Sequence, residues 1–305
     1  MAVRSVTATA PGKINLCLRV GALRDDGYHD LATVFQAVSL VEEVTATPSA
    51  GFTCAFSGPI DVSNVPLTAD NLVLRAARAI AAATGYDGGV HLEVIKRVPI
   101  AGGMGGGSAD AAAALLAVDA LWQTHLGKDA LMSIAADLGS DVPFSMVGGT
   151  AIGLGRGEDL SPVLATGHFE WVLVPHDHGL STPTVYRELD RHREEHRLEI
   201  PPVVDCPDVE MPLLQALRGG DPVLLADYLV NDLQVAALHL QPELGATLEY
   251  GESHGALAGI VSGSGPTTAF LMPDSTAAVD LVDLFTRRGQ RALRVLSPVH
   301  GARLQ

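Results

Sequence analysis

The chain has 305 residues, of which 47% are hydrophobic and 18% are charged, the composition of a folded protein and not of a disordered one. Its 20 basic and 35 acidic residues give a net charge of −15, which argues against nucleic-acid binding and against an anionic membrane surface. The length allows about two domains, and the sequence predicts them at residues 1–159 and 160–305.

The cysteines predict the redox compartment. Cys17, Cys54 and Cys206 are odd in number and form no CxxC pair, which is typical of reduced thiols in a cytosolic protein.

The sequence also predicts no membrane segment. The N-terminus has no signal-peptide pattern, and the longest apolar run, near residues 109–122, is too short and too rich in alanine to span a membrane. We therefore expect a soluble cytoplasmic protein with no membrane partner.

The first predicted elements are strands. Residues 3–10 and 13–20 alternate as two strands, separated by Pro11-Gly12, and the second places Lys13 and Asn15 on the same face. By spacing alone, Lys13 is more typical of a solvated edge charge. Residues 31–40 suit either a strand or a helix, residues 52–56 a strand, and residues 71–84 a helix capped by Asp70.

A glycine-rich stretch lies at the centre of the first half. Residues 90–98 predict a strand, residues 99–110 read PIAGGMGGGSAD, and residues 109–126 predict a helix with Ser108 as N-cap and Gly127 as stop. Glycines allow backbone amides to approach a ligand closely, and a helix N-terminus favours an anion, so the stretch suits a phosphate. The alternative is a turn that only lets the helix pack closely. Walker-type and dinucleotide patterns are both incomplete here.

The remaining chain alternates helices and strands. A helix over residues 128–138 precedes a loop at 140–144, where Pro143 disfavours helical angles for Val142, and a glycine-rich hairpin follows at 148–157. Residues 181–186 predict a loop that leads into a helix. Further strands are expected at residues 169–174, 269–272 and 292–296, helices at 213–217, 222–232, 242–250 and 276–287, and a second glycine turn at 259–268. His192 and His196 fit a HxxEH zinc pattern, but their surroundings are too charged for a packed metal site.

Four motifs occur along the chain, and together they indicate a protein family more specifically than any one of them does. They are PGKINL at residues 11–16, the glycine-rich stretch at 99–110 (the glycine loop), LGSDVPF at 138–144 and SGSGPT at 262–267. Together they resemble the kinase superfamily that includes galactokinase, homoserine kinase, mevalonate kinase and phosphomevalonate kinase. The segment DGYH at 26–29, with Thr182-Pro183 and Tyr186, resembles the members that act on a cytidine diphosphate substrate.

The resemblance implies an α+β fold of two domains. An N-terminal α/β domain would contain a left-handed β-α-β element, a smaller α+β domain would follow, and the active site would lie in the cleft between them. It implies transfer of the γ-phosphoryl group of ATP, with Mg²⁺, to a tertiary hydroxyl of a small cytidine diphosphate substrate. Other kinases of the superfamily and a nucleotide-binding regulator stay open as alternatives, as does a monomer or a weak dimer.

The resemblance also assigns candidate site residues. Asp141 would accept the proton of the substrate hydroxyl and Lys13 would pair with it, although Asp141 could also be a helix cap. In that superfamily, serine or asparagine is common at the position after the loop's serine where this chain has Asp110. The candidates that would contact ATP are Asn71, Lys96, Pro99, Ile100, Ala101, Gly102, Gly103, Met104, Gly105, Gly106, Gly107, Ser108 and Ala109. The candidates that would contact the acceptor are Asn15, Tyr28, His29, Thr182 and Tyr186.

Overall fold

The structure is a computed structural model that describes residues 5–305. Its first elements are β1 Val6–Leu23, β2 His29–Ser49, β3 Phe52–Ser57, α1 Leu72–Thr84, β4 Gly89–Ile95, α2 Gly106–Trp122, α3 Lys128–Leu138, α4 Val142–Val147, β5 Thr150–Gly155, β6 Asp159–Pro162 and β7 Phe169–Val174. They are followed by α5 Thr182–Glu195, α6 Met211–Gly219, α7 Pro222–Ala226, β8 Val230–Asn231, α8 Gln234–Leu240, α9 Glu243–Ser253, β9 Ala258–Val261, β10 Thr268–Met272, α10 Ser275–Arg287, β11 Leu293–Ser297 and β12 Arg303–Leu304.

Two long antiparallel strands, β1 and β2, form the centre of the larger sheet. The predicted break at Pro11-Gly12 is wrong, because a register shift between Pro11 and Lys13 absorbs the proline within one continuous strand. Residues 3 and 4 of the predicted first strand lie outside the described residues. The segment 31–40, which suited a strand or a helix, belongs to β2.

The larger sheet has the order β12-β1-β2-β4-β3, with β5 on β2, β6 on β5 and β8 on β1. Helices α1 and α2 pack against it around a core rich in alanine, and α3 packs on these two helices. Ala109, Ala112 and Ala113 of α2 are fully buried, and such small side chains let the helix lie close to the strands. This close packing holds the start of α2 at a fixed place beside β1.

Several predicted helix ends are wrong. Gly105, and not Ser108, is the N-cap of α2. The helix ends at Trp122, and its C-cap is Gln123, four residues before the expected stop at Gly127. Asn71, and not Asp70, caps α1. The loop predicted at 140–144 begins the helix α4, because a proline is tolerated in the first turn of a helix.

The smaller sheet lies in the second half of the chain and has the antiparallel order β11-β7-β10-β9. Helices α9 and α10 pack on it around Phe270 and Phe285. The predicted helix 222–232 ends at Ala226, since β8 then pairs with β1 of the larger sheet. The predicted loop at 181–186 is helical from Thr182. The division near residue 159 stays a prediction.

Candidate active site

The glycine loop connects β4 to α2 and presents the helix start to a cavity. Gly105 has a left-handed φ of +68°, and no side chain caps the helix. The first N–H groups of a helix have no partner within it, and they carry its partial positive charge. The loop end of α2 is therefore suited to hold an anion.

The predicted second glycine turn at 259–268 is a turn only after β9 ends at Val261, and its residues 262–267 pack directly against this loop. Ser262 Oγ donates to the carbonyl of Gly103 at 3.1 Å, and the amide of Thr267 donates to the carbonyl of Gly102 at 3.4 Å. A Cβ at Gly103 would lie 1.9 Å from the Ser262 carbonyl oxygen. The glycine at 103 is thus required by the contact between the two turns, which joins the two halves of the chain at the site.

Lys13 projects from β1 towards the same loop, and its backbone amide donates to the Met104 carbonyl at 2.9 Å. The Lys13 side chain is only 7% exposed, and Nζ donates to Asn15 Oδ1 at 2.7 Å. Asn15 Nδ2 in turn donates to Thr33 Oγ1 at 2.8 Å. This buried chain of bonds fixes the ammonium, so the alternative of a solvated edge lysine is wrong.

Asp141 lies opposite Lys13, with Oδ2 at 3.7 Å from Nζ and a side chain that is 29% exposed. Asp141 stands at the N-cap position of α4, as the alternative interpretation expected, but its carboxylate makes no capping hydrogen bond. A Cβ at Gly105 would lie 3.6 Å from Asp141 Oδ2 and 3.3 Å from Lys13 Cγ. The loop, the ammonium and the carboxylate therefore meet at one point.

A cavity of about 570 Å³ opens at this point and is lined by both halves of the chain. The predicted site residues that line it are Lys13, Asn15, Asn71, Lys96, Pro99, Ile100, Ala101, Gly102, Gly103, Met104, Gly105, Gly106, Gly107, Asp141, Thr182 and Tyr186. Ser108 and Ala109 are not among the lining residues, and Ala109 is fully buried in the core.

Lys96 is the centre of a buried ion cluster beneath the loop. It is 3% exposed and donates to Asp110 Oδ2 at 2.7 Å and to Glu42, so the alternative of a solvated strand lysine is wrong. Burial, opposed by Lys96 and aided by the charge of the nearby Glu42, raises the pKa of Asp110 to about 7. Burial also raises the pKa of Glu42. Sequence reasoning missed Glu42, an acid within an otherwise apolar strand.

Asn71 has a structural role in addition to its place on the cavity wall. Its Oδ1 accepts from the amide of Val73 at 3.1 Å, and its Nδ2 donates to the carbonyl of Pro66 at 2.7 Å. Both polar atoms of the side chain are thus engaged in capping α1 and in holding the preceding loop.

A second cavity, of about 810 Å³, adjoins the first and shares Thr182, Tyr186 and Arg156 with it. Tyr28 and His29 line only this second cavity. The Arg156 guanidinium lies 3.8 Å from the centre of the Tyr28 ring, and the Tyr186 ring lies 5.2 Å from the His29 ring, centre to centre. Burial, together with the charge of Asp141, raises the pKa of Tyr186.

The histidines of the HxxEH pattern, the cysteines and the apolar helices were also subjects of sequence predictions. The ring of His192 on α5 lies 4.4 Å from the ring of His196, the residue that follows the helix, centre to centre. Within residues 5–305, no group of three or more potential ligands could hold a metal ion. Cys17, Cys54 and Cys206 are free thiols. None of the helices among these residues is both long and apolar enough to cross a bilayer.

Two domain matches with known proteins identify the class of enzyme. Residues 71–149 match the N-terminal domain of the GHMP kinases, and residues 213–289 match the C-terminal domain of the same kinases. Both matches include elements described above, α2 with its glycine loop in the first and the second glycine turn in the second. The fold and the site thus define a GHMP-type small-molecule kinase.

Relatives over the full length narrow the class. The 4-diphosphocytidyl-2-C-methyl-D-erythritol kinase of Clavibacter michiganensis is 58% identical over 98% of this chain and 96% of its own. That of Leifsonia xyli is 56% identical over 98% of both chains. A crystal structure of a 4-(cytidine 5'-diphospho)-2C-methyl-D-erythritol kinase superimposes with a TM-score of 0.77, at 33% identity, over 96% of this chain and 99% of its own. The chain belongs to the 4-diphosphocytidyl-2-C-methyl-D-erythritol kinase family.

Proposed function

We propose that the chain transfers the γ-phosphoryl group of ATP to the 2-hydroxyl of 4-diphosphocytidyl-2-C-methyl-D-erythritol, a step of non-mevalonate isoprenoid biosynthesis. The names of the full-length relatives support this activity. The observation that carries it is the pair of adjoining cavities, with the glycine loop in one, Tyr28 and His29 in the other, and shared walls between them. This arrangement suits two ligands that meet end to end.

The glycine loop would hold the phosphates of ATP. The amides at the start of α2 offer hydrogen bonds to phosphate oxygens, and the helix charge is favourable there. A Cβ at Gly107 would contact only Leu72 Cδ1, at 3.6 Å, which leaves room for a ligand close to the backbone. A chain with 15 net negative charges needs such local groups to bind an anion.

Asp141 would act as the general base. As the O–H bond of the acceptor breaks, Asp141 takes the proton, the hydroxyl oxygen forms a bond to the γ-phosphorus, and the bond to the β-phosphate oxygen breaks to release ADP. Lys13 would orient Asp141 and stabilise the charge on the acceptor oxygen, since Asn15 holds its ammonium in place.

Mg²⁺ would accompany ATP. When bound, it neutralises charge on the phosphate oxygens. Magnesium prefers oxygen donors, and the Ser108 hydroxyl, in the first turn of α2 behind the cavity wall, is a donor of that chemical type.

The second cavity would hold the cytidine end of the acceptor. Tyr28 and Tyr186 offer ring faces for stacking, and His29 offers a polar edge for the base. Thr182 lines both cavities and Asn15 lines the first, and both would contact the middle of the acceptor.

The test is ADP release with ATP, Mg²⁺ and a panel of acceptors. We expect 4-diphosphocytidyl-2-C-methyl-D-erythritol to stimulate release, while homoserine and mevalonate do not. Stimulation by homoserine or mevalonate instead would favour another kinase of the superfamily. ATP binding with no acceptor-dependent release would favour a regulator without turnover.

A further inference from the structure

His29 has a partner that the proposed chemistry does not use. Its Nε2 lies 2.9 Å from Oδ1 of Asp190, and the His29 side chain is only 5% exposed. Asp190 and Tyr186 lie four residues apart on α5, so they project from the same side of that helix. One helix thus places a carboxylate at one nitrogen of His29 and a ring 5.2 Å from its ring centre.

The carboxylate restricts which nitrogen of His29 carries the proton. An ionised carboxylate only accepts hydrogen bonds, so the short contact requires a proton on Nε2. In a neutral imidazole, Nδ1 is then an acceptor. Across residues 5–305, Nε2 has Asp190 as its partner while Nδ1 has none, and His29 lines the second cavity. A ligand in that cavity meets an imidazole whose polarity is already set.

We propose that Asp190 is a positioning residue that fixes His29 as a hydrogen-bond acceptor, so that the pair selects cytosine over uracil. The inference rests on the proposed function, because it concerns the base of the same acceptor. Cytosine carries an amino group at C4, which donates to the acceptor nitrogen of His29. Uracil carries a carbonyl at C4, which would face that nitrogen with a second acceptor and leave both unpaired. Buried polar atoms without partners are costly, and sites built on such pairs discriminate strongly.

The direct test compares the affinities of CDP and UDP by calorimetry. The wild-type chain should bind CDP at least ~10-fold more tightly than UDP, a modest share of the discrimination that polar sites achieve. Asp190→Ala frees the imidazole to place its proton on either nitrogen, so the ratio should fall to within ~3-fold, chiefly through weaker CDP binding. Glu194→Ala, which removes an exposed acid from the same helix, should leave the wild-type ratio unchanged.

A second measurement reports the tautomer of His29 in the wild-type chain and does not depend on how Asp190→Ala folds. Nitrogen-15 NMR of histidine in the wild-type chain should show His29 protonated at Nε2 alone near pH 7.5, with its signal assigned by its loss in His29→Gln. A proton on Nδ1, or on both nitrogens, would overturn the proposal. So would a CDP preference that survives Asp190→Ala, which would mean that Asp190 only fastens α5 to β2.

Different results would overturn the role of Asp190 and the proposed function. Absent turnover of the cytidine-bearing acceptor would count against the proposed function. Normal turnover together with equal wild-type affinities for CDP and UDP would overturn the role of Asp190 and leave the kinase assignment intact. Failure of both nucleotides to bind would also overturn it, since no base would then be read in this cavity.

Discussion

Lys13 Nζ lies 3.7 Å from Asp141 Oδ2, while the same ammonium donates a 2.7 Å hydrogen bond to Asn15 Oδ1. The distance to Asp141 exceeds that of a hydrogen bond, so the two charges attract without a direct bond. The carboxylate keeps its oxygens available for another donor. This relationship suits a base that must accept a proton next to a fixed positive charge.

Replacing Lys13 tests whether the two residues act together. Lys13→Met should lower kcat by at least ~10²-fold, because the charge next to the base and the reacting oxygen is lost. The double variant with Asp141→Asn should lose little beyond the worse single variant, as expected for residues that act as a unit. If the kcat loss of the double variant equalled the product of the two single losses in steady-state kinetics, the two residues would act independently and not as a unit. Lys128→Met, at the exposed start of α3, is the matched control.

The glycine loop offers a test of ATP binding. Gly107→Val should raise the KM for ATP at least ~10-fold, because the added carbons enter the space next to the helix amides. Gly107 has no left-handed φ, and its Cβ would meet only Leu72, so the fold should tolerate the change better than it would tolerate one at Gly105. Kinetics at varied ATP, with the melting temperature alongside, check this.

A glycine outside the cavity is the control for that substitution. Gly127→Val places the same side chain before α3, where no atom lies within 4 Å of the new Cβ. Its KM for ATP should equal that of the wild type. If Gly107→Val also bound ATP normally, the loop would be only a packing turn.

The buried acid Asp110 predicts a specific pH dependence of stability. Its pKa is raised from 3.8 to about 7 in the folded chain. Protonated Asp110 therefore stabilises the folded state fully below the ordinary pKa, and this stabilisation is lost as the pH rises through about 7. Asp110→Asn has no proton to lose at this position. The melting temperature of the wild type should therefore fall relative to that of the variant between about pH 4 and pH 7.

The difference between the two melting curves is the readout. Parallel curves over this interval would mean that Asp110 is ionised throughout, stabilised by Lys96 alone. Asp129→Asn, in the exposed first turn of α3, controls for the loss of one negative charge.

The sequence predicted the parts of the site that are contiguous along the chain. Glycines between a strand and a helix indicate a loop that approaches a ligand, and this reasoning placed residues 99–107 at the cavity. The resemblance added Lys13 and Asp141, which spacing alone left as an edge charge and a cap. Burial and partner contacts distinguish these alternatives, and neither is visible in local spacing.

The errors have a common physical cause, which is that distant residues decide local structure. Pro11 continues a strand because a bulge against β2 accommodates it, and a turn pattern gives no sign of that partner. Lys96 is buried because Glu42, 54 positions away, lies beside it. Asp190 reaches His29 across 161 positions, within a helix whose charged sequence indicates a solvated surface.

The central claim is that Asp141 is the general base, and Asp141→Asn tests it. Asparagine keeps the shape of the side chain but removes the proton acceptor, and the carboxylate makes no capping bond whose loss would unfold α4. Positioned bases contribute a factor of about 10² to 10⁴. Asp129→Asn, the same change at an exposed residue of α3 outside this cavity, should leave the rate unchanged.

The decisive measurement is kcat for 4-diphosphocytidyl-2-C-methyl-D-erythritol with saturating ATP and Mg²⁺, together with the affinity for ATP. Asp141→Asn should lose at least ~10²-fold in kcat while ATP binds almost as tightly as to the wild type. A kcat within about threefold of the wild type, with ATP bound normally, would contradict it and remove Asp141 from the proton transfer.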